Sequence, residues 1–441
     1  MLKIFLKKLI PVRFLSLYHK LLALSAAFFY GFPSEKMIVV GITGTSGKST
    51  VCEMLSAILE KTGAKVGVSS SIKFKSGKDE KINDLKMTMP GRFKLQRLLF
   101  NMVKSGCQFA LIESTSEGIK QHRHLGINYD ILIFTNLYPE HIESHGSFDN
   151  YKKAKGALFE KLSGGKVKTI DGRQVKKTII ANIDDPYAEY FLCFRAQAKY
   201  GYSHINNKKD PANLIVKAED LRENISGISF KVGNVDFSLP ILGRHNLYNA
   251  LAAVTAALVL GIRIEDSKAV LEKIKSIPGR LEFINAGQPF NIIIDYAFLP
   301  EALEKVYDSI KQIKKNRIIH ILGSAGGGRD ASRRPKLGFV AGENADFVIV
   351  TNEDPYDEDP QEIINQVVKG AIGAGKVIDE NLFKILDRRD AIKKALSLAK
   401  AGDLIIITGK GSEQSIASAG GKLIPWNDKQ AVLEELGRSN H

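Results

Sequence analysis

The chain has 441 residues, enough for two or three domains rather than one ordinary core. Apolar residues make up 44% and charged residues 25%, a composition that excludes a disordered or fibrous chain. The three scattered cysteines exclude a disulfide framework and a four-cysteine zinc site, and they favour a reducing compartment. The formal net charge of +15 favours an anionic partner, namely nucleic acid, phospholipid headgroups or a nucleotide-linked substrate.

Residues 1–34 are basic and apolar, and the first acidic residue is Glu35. The apolar stretch at 21–32 is shorter than the roughly 20 residues of a membrane-spanning helix. A secretory signal would show the same basic-then-apolar order, but the glycine-rich motif TGTSGKST that follows at 43–50 is typical of cytoplasmic nucleotide-binding proteins and disfavours it. Two interpretations stay open: an amphipathic segment that touches the inner membrane face, or a helix that covers the first domain.

Residues 37–42 form a nearly continuous apolar run, which is typical of a central parallel strand. The sequence TGTSGKST follows at 43–50, and apolar residues at helical spacing continue over 51–59. Strand, glycine loop, Lys-Ser and helix are the context of a phosphate-binding loop, in which backbone N–H groups approach the phosphates. Lys48 would contact the phosphates and Ser49 would bind Mg²⁺.

Further apolar runs at 109–112, 131–135 and 178–181 alternate with helical stretches, which predicts βαβ units and a parallel sheet. Chemistry in such sheets collects at the carboxyl ends of the strands. Glu113 directly follows the first of these runs, and His141 follows the second. A carboxylate and an imidazole beside a phosphate-binding loop suit metal coordination around a triphosphate.

A helix is predicted after His141, with Ser147 or Asp149 as its N-cap. Its apolar side includes Tyr151 and Leu158. Lys155 lies beside that stripe and should therefore face inward or toward the edge of the cleft, unlike the two lysines before it.

The second half reads as another α/β unit, because short apolar runs again alternate with helical stretches. These runs lie at 291–295, 317–322, 347–350 and 404–407. The predicted fold class is therefore α/β, with a P-loop parallel-sheet domain followed by a Rossmann-like α/β domain.

The motifs, taken together and in order, resemble the Mur ligase family. They are TGTSGKST at 43–50, ESTSEGIKQHR at 113–123, TNLYPEHIESHG at 135–146, LGRHNLYNALAA at 242–253, LGSAGGGRD at 322–330, TNEDPYDEDP at 351–360 and GKGSE at 409–413. Within the family the chain is most similar to the MurE branch, the UDP-N-acetylmuramyl-tripeptide synthetases. The resemblance implies an ATP-dependent, ADP-forming ligase that adds an amino acid to a UDP-MurNAc-L-Ala-D-Glu-type acceptor, through an acyl phosphate, in peptidoglycan precursor synthesis.

The resemblance also implies roles for individual residues. Catalysis and metal binding would involve Lys48, Ser49, Glu113, His141 and Lys155, the last as a carbamate. The ATP-binding residues would be Gly44, Thr45, Ser46, Gly47, Lys48, Ser49, Thr50, Asn246, Arg280 and Asp295. The substrate-binding residues would be Thr88, Thr115, Gln121 and Arg123 for the muramoyl-dipeptide, and Arg329, Asp354 and Glu413 for the incoming amino acid.

The resemblance further implies the domains and partners. The expected domains are a basic segment, an ATP-binding domain and an amino-acid-binding domain, at 1–36, 37–278 and 279–441. ATP and Mg²⁺ are the expected cofactors, and a muramoyl-dipeptide precursor and a free amino acid are the expected substrates. A cytoplasmic monomer is expected, without nucleic acid and with a peripheral inner-membrane contact through residues 1–34 as one interpretation.

Two departures from the family pattern leave parts of the function open. The phosphate-binding loop begins at residue 43, so the domain with which these enzymes grip UDP is expected to be missing, and the carrier on the acceptor is undecided. Enzymes that add diaminopimelate have Asp-Asn-Pro-Arg where this chain has Glu-Asp-Pro-Tyr at 353–356. The loss of the arginine and the acidic residues favour lysine or ornithine over diaminopimelate.

Two alternatives are weaker. A folylpolyglutamate synthase-like ligase shares the phosphate-binding loop, but the QHR motif at 121–123 and the motifs of the second half favour the muramyl branch. A P-loop nucleic-acid-binding ATPase would explain the positive charge, but the chain lacks the strip of basic and aromatic residues used by single-strand binders.

Overall fold

The computed structural model describes residues 12–140, 142–205, 214–224 and 226–439. His141, the predicted metal ligand, and residues 1–11 of the basic segment lie outside the described residues. The described chain divides into two compact units, the first with residues up to 221, 230–237 and 245–273, and the second with 222–229, 238–244 and 274 onward.

The helices are α1 (Val12–Phe29), α2 (Lys48–Lys61), α3 (Arg92–Lys104), α4 (Ser116–Lys120), α5 (Ile142–His145), α6 (Phe148–Ser163), α7 (Ala188–Leu192), α8 (His245–Val259), α9 (Ile264–Leu271), α10 (Pro300–Ile310), α11 (Arg333–Asn344), α12 (Pro360–Gly373), α13 (Arg388–Leu398) and α14 (Asp428–Ser439). Short 3₁₀ turns lie at Pro33–Lys36 and Ala419–Gly421.

The strands of the first half are β1 (Ile38–Thr43), β2 (Val66–Ser69), β3 (Lys73–Ser76), β4 (Asp79–Ile82), β5 (Phe109–Glu113), β6 (Ile131–Phe134), β7 (Lys168–Ile170), β8 (Arg173–Val175), β9 (Thr178–Asn182), β10 (Ala198–Ser203), β11 (Leu214–Asn224), β12 (Gly227–Val232) and β13 (Val235–Leu239). Those of the second half are β14 (Glu282–Ile284), β15 (Asn291–Ile294), β16 (Ile318–Leu322), β17 (Phe347–Thr351), β18 (Leu382–Ile385), β19 (Leu404–Ile407), β20 (Ser415–Ala417) and β21 (Leu423–Pro425).

The larger sheet has β1 near its centre, in the order β13-β12-β11-β10-β9-β6-β1-β5-β2-β3-β4. β1 pairs in parallel with β5 and with β6, and each of these strands is buried over most of its length, as continuous apolar runs require. The predicted parallel α/β sheet is confirmed. The antiparallel strands β3 and β4 at this edge were not predicted, because both are rich in charged residues and lack an apolar run.

The second sheet has the order β14-β15-β19-β16-β17-β18. β15, β19, β16, β17 and β18 are parallel, and β14 adds an antiparallel edge. Helices cover both faces, and isoleucines such as Ile293 and Ile406 on one face and Ile292 and Ile405 on the other form two apolar clusters. The predicted α/β fold of the second half is therefore confirmed.

A buried charge cluster lies at the start of β6. Asp130 is fully buried, and its carboxylate pairs with the ammonium groups of Lys168 at 2.5 Å and Lys177 at 2.9 Å. The same carboxylate accepts a hydrogen bond from the backbone N–H of Val39 in β1. The cluster therefore connects β1 and the start of β6 with Lys168 at the start of β7 and with Lys177 just before β9.

Helix α1 packs on the rest of the first unit through its small residues. Ala23, Ala26 and Ala27 are buried, and a Cβ added to Gly126 would lie 2.5 Å from the Cβ of Ala27. None of the helices in the described parts of the chain is long and apolar enough to cross a membrane.

Candidate active site

The loop between β1 and α2 has the backbone of a phosphate-binding loop. Gly44 has φ +151° and Gly47 has φ +82°. A Cβ on Gly44 would lie 1.9 Å from Thr135 Oγ1, and a Cβ on Gly47 would lie 2.3 Å from Asn249 Oδ1. Both positions therefore require glycine, through backbone conformation and through close neighbours.

Replacing Gly47 by alanine should lower the affinity for ATP by about tenfold or more, because Asn249 must move and the loop with it. Binding of ATP measured by isothermal titration calorimetry checks this. Gly63→Ala is the matched control, since Gly63 also has positive φ (+87°) but no atom within 4 Å of the added Cβ. The control should lose stability by about 1–2 kcal/mol and keep its ATP affinity; equal ATP affinities of the two variants would contradict the steric explanation.

The end of β6 holds this loop in place. Asn136 Oδ1 accepts a hydrogen bond from the backbone N–H of Ser46 at 2.9 Å, and Thr135 Oγ1 donates to the carbonyl of Ser46 at 2.7 Å. The backbone N–H of Thr45 donates to the carbonyl of Asn136. Sequence reasoning assigned no role to these two residues, although their place after the strand next to β1 was a usable signal.

Lys48 and Ser49 begin α2 at the carboxyl end of β1. Lys48 Nζ donates to the carbonyls of Gly44 at 3.1 Å and Thr45 at 2.9 Å. The Ser49 hydroxyl donates to Glu113 Oε2 at 2.9 Å. Thr50 is buried in the same first turn. The structure therefore brings the predicted phosphate ligand, metal-binding hydroxyl and metal-binding carboxylate together.

Lys155 is buried on α6, as its place beside the apolar stripe predicted, and Ser147 caps that helix. Lys155 Nζ donates to the carbonyl of Gly44 at 2.8 Å and lies 4.5 Å from the centre of the Tyr151 ring. Burial, and next the charge of Lys48, hold the pKa of Lys155 far below the usual lysine range. The amine is thus stabilised in its neutral form, the nucleophilic form, at the edge of the phosphate loop.

Tyr151 and Glu140 complete the surroundings of Lys155. The Tyr151 hydroxyl donates to Glu140 Oε2 at 3.3 Å and lies 3.1 Å from Thr45 Oγ1. Glu140 is buried, and its charge opposes the lowering of the Lys155 pKa. Sequence reasoning did not single out Glu140, because a lone acid in a loop gives no signal before the fold places it.

The chemistry of the donors fits Mg²⁺. The Ser49 hydroxyl and the Glu113 carboxylate are hard oxygen donors, and Mg²⁺ takes few protein ligands because phosphates and water supply the rest. The part of the chain that the structure describes contains no cluster of three or more His, Cys, Asp or Glu residues suited to a metal ion.

Asn246 lies on α8, one turn before Asn249. The Asn246 Oδ1 atom accepts a hydrogen bond from Asn249 Nδ2 at 2.9 Å. Asn249 is also the residue whose side chain leaves no room for a Cβ on Gly47. The predicted adenine-binding residue is therefore connected to the phosphate loop through one side chain.

The predicted dipeptide-binding residues cluster in part. Arg123 Nη2 donates to Gln121 Oε1 at 2.8 Å, and its guanidinium also donates to the carbonyl of Met89, next to the half-buried Thr88. Thr115 accepts a hydrogen bond at the start of α4 and acts as its N-cap. The structure therefore gives Thr115 a capping role in addition to the predicted one.

In the second unit, Arg280 lies just before β14, and Asp295 directly follows β15, the antiparallel partner of β14. The Arg280 guanidinium stacks 4.5 Å from the centre of the Tyr296 ring. The Asp295 carboxylate accepts the backbone N–H groups of Leu281 at 2.8 Å and Ala297 at 2.7 Å, while burial raises its pKa. Asp295 therefore holds the backbone beside Arg280.

Asp354 and Glu413 meet at a lysine that sequence reasoning missed. Lys410 is fully buried and donates to Asp354 Oδ1 at 2.9 Å and to Glu413 Oε2 at 2.5 Å. The guanidinium carbon of Arg329 lies 5.9 Å from the centre of the Tyr356 ring. Burial raises the pKa of Tyr296, and the charges of Glu413, Arg329 and Asp354 all act on that pKa as well. Lys410 belongs to the quoted GKGSE motif, and that place in the motif was the signal.

Two family models match the two halves of the chain. Residues 42–257 match the Mur ligase middle domain, and residues 279–411 match the Mur ligase glutamate ligase domain. A UDP-N-acetylmuramyl-tripeptide synthetase of Roseiflexus sp. is 37% identical over 425 residues, 94% of this chain and 82% of the relative.

Two solved structures are similar in fold. A UDP-N-acetylmuramoyl-L-alanyl-D-glutamate–2,6-diaminopimelate ligase matches with TM-score 0.58 and 27% identity over 92% of this chain and 79% of its own. A Mycobacterium tuberculosis folylpolyglutamate synthase matches with TM-score 0.66 over 88% and 92% of the two chains, but at 16% identity the likeness concerns the fold alone.

Proposed function

The chain belongs to the Mur ligase family of ATP-dependent amide-bond-forming ligases, and from this premise we propose that it adds a diamino acid to a UDP-MurNAc-L-Ala-D-Glu-type acceptor. One observation carries the proposal. The phosphate-loop lysine, Lys48, and the buried Lys155 both donate to the carbonyl of Gly44, beside the Ser49–Glu113 pair. This arrangement suits the transfer of a phosphoryl group to an anionic acceptor.

The first step forms an acyl phosphate. A carboxylate oxygen of the acceptor attacks the γ-phosphorus of ATP, and the bond to the β-phosphate oxygen breaks to release ADP. Both partners are anions, so the reaction needs positive charge around the transferred group. Lys48 and the backbone N–H groups of residues 44–49 bind and orient the phosphates.

Magnesium would be held by Ser49 and Glu113, and by His141 and a carbamate on Lys155. The metal supplies charge neutralisation at the transferred phosphoryl group. The carbamate arises when the neutral Lys155 amine attacks CO₂, with the formation of an N–C bond and the loss of a proton. The lowered pKa of Lys155 supports this assignment, because only the neutral amine reacts.

The second step forms the amide. The amine of the incoming amino acid attacks the acyl carbon, and phosphate leaves from the tetrahedral intermediate. Arg329, Asp354 and Glu413 would bind the incoming amino acid, and Lys410 holds the two carboxylates in position. The acceptor would lie along Thr88, Thr115, Gln121 and Arg123.

The domains predicted at 37–278 and 279–441 would then divide the work, with ATP on the first and the amino acid on the second. We place the reaction in the cytoplasm, where ATP and the precursor are made available.

The incoming amino acid is expected to be lysine or ornithine rather than diaminopimelate. Tyr356 occupies the position of the arginine that binds the far carboxylate, and acids surround it at Glu353 and Asp354. Tyr356→Arg should therefore raise turnover with diaminopimelate by about tenfold or more, while Tyr356→Phe leaves the preference unchanged. Turnover of the unaltered chain with diaminopimelate, together with no turnover with lysine, would contradict the assignment.

Release of ADP with a panel of acceptors tests the function as a whole. The acceptors are UDP-muramoyl-dipeptide, a lipid-linked muropeptide and folate, each with lysine, ornithine, diaminopimelate or glutamate. Turnover with a muramoyl acceptor is the expected result. Turnover with folate and glutamate alone would favour the folylpolyglutamate reaction, and ATP hydrolysis stimulated by nucleic acid would favour the third alternative.

A further inference from the structure

Helix α1 exposes a continuous apolar face. The side chains of this face are Phe14, Leu17, Leu21, Leu24, Phe28 and Phe29. At 100° per residue they fall on one side of the helix, opposite the buried Ala23, Ala26 and Ala27. Phe14 is 67% exposed and Phe28 is 77% exposed, so the face is open to the surroundings rather than packed on the protein.

The apolar face extends onto the neighbouring helix α3. The ring of Phe29 lies 6.3 Å from that of Phe93, which is itself exposed. The Ser16 hydroxyl lies 2.8 Å from His122 Nε2, so α1 is also attached to the first unit by a polar contact. A contiguous apolar patch of this size usually marks an interaction site.

The charged residues of α1 and of the neighbouring helix α3 are all basic. Residues 1–34 contain five Lys or Arg residues and no acid. Helix α3 carries Arg92, Lys94, Arg97 and Lys104 and also contains no acid. An apolar face flanked by cations is the pattern of a helix that lies in the plane of a membrane with anionic lipids.

We propose that α1 docks the protein on the surface of an anionic phospholipid bilayer through the apolar face. The large side chains would enter the boundary between headgroups and acyl chains, while Lys94 and Arg97 contact the lipid phosphates. The alanine side of α1 stays packed on the first unit. This docking is independent of the proposed ligase reaction, since it involves none of the residues assigned to ATP or substrates.

Sedimentation of the full-length chain with vesicles tests the proposal. Binding to phosphatidylglycerol vesicles should exceed binding to phosphatidylcholine vesicles and should fall as salt rises. The double variant Leu21→Glu, Phe28→Glu should bind phosphatidylglycerol vesicles about tenfold or more weakly. Replacing Lys94 and Arg97 by glutamine should lower the preference for the anionic lipid, because two of the flanking cations are lost.

The matched control is Ile372→Glu, Leu386→Glu, which adds the same charges at exposed apolar side chains of the second unit. It should bind vesicles like the unaltered chain, apart from the weak effect of added negative charge. Thermal unfolding and ATP binding verify that every variant folds. Equal binding to both lipids, or unchanged binding by the α1 variant, would overturn the proposal. A concentration-dependent dimer that the α1 variant abolishes, without vesicle binding, would instead assign the face to a second copy of the chain.

Discussion

Lys155→Ala is expected to lower the rate of ADP release by about a thousandfold, the scale seen when one group that stabilises a phosphoryl-transfer transition state is removed. The variant loses the buried amine beside the Gly44 carbonyl, and with it the carbamate that would help to organise the metal. Steady-state ADP release at saturating ATP, acceptor and amino acid measures the effect. Addition of a short carboxylate such as formate should restore part of the activity.

Lys153→Ala is the control for this variant, because Lys153 lies on the same helix but is exposed. Its turnover should stay within about twofold of the unaltered chain, as is usual for surface positions. Both variants should still bind ADP, which shows that the phosphate loop is folded. Full activity of Lys155→Ala would refute the role assigned to that lysine.

Asp130→Ala is expected to give the largest loss of stability. The substitution leaves Lys168 and Lys177 buried without their carboxylate partner, and breaking a buried ion pair from one side costs about 3–5 kcal/mol. It also removes the acceptor for the backbone N–H of Val39. Urea unfolding, followed by the fluorescence of an ATP analogue bound to the first unit, measures the free energy of unfolding.

Asp149→Ala is the comparison for the stability measurement. Asp149 also forms an ion pair, with Lys152 at 2.9 Å, but its side chain is exposed. Surface ion pairs contribute little, so this variant should unfold at the same urea concentration as the unaltered chain. A similar midpoint for Asp130→Ala and Asp149→Ala would show that the buried cluster does not stabilise the first unit.

Much of the fold could be predicted from the sequence, because its central strands are short continuous apolar runs. The run at 131–135 became the buried strand Ile131–Phe134, and the run at 404–407 became a strand of the same bounds. The edge strands could not be predicted in this way. Asp79–Ile82, for example, is fully exposed and is defined by pairing with its neighbour rather than by an apolar pattern.

The candidate site was predictable where a motif implied a position. The loop at 44–49 and the inward direction of Lys155 followed from glycine spacing and helical periodicity. Asn136 could have been found from its place after β6, but its contact with Ser46, 90 residues away, could not. Glu140 was not predictable as part of the site, because only the folded chain brings it to Tyr151. Long-range pairing of this kind leaves no periodic signal in a single sequence.

Lys410 shows that the pairing of charges, too, cannot be predicted from the sequence alone. The acids around residue 354 suggested a net negative amino-acid site, but Lys410 offsets Asp354 and Glu413 from within the unit. A count of charges along the sequence does not show which of them are already paired. The preference for a diamino acid therefore depends on Tyr356 and on the acids that remain, and it needs the turnover measurements described above.

The most direct test of the ligase chemistry is the fate of labelled oxygen. An acceptor whose terminal glutamyl carboxylate carries oxygen-18 is incubated with ATP and lysine, and the products are analysed by mass spectrometry. An acyl phosphate predicts one oxygen-18 atom in the released phosphate, with ADP unlabelled and the amide formed. Label in AMP, or release of unlabelled phosphate together with the amide, would contradict the mechanism.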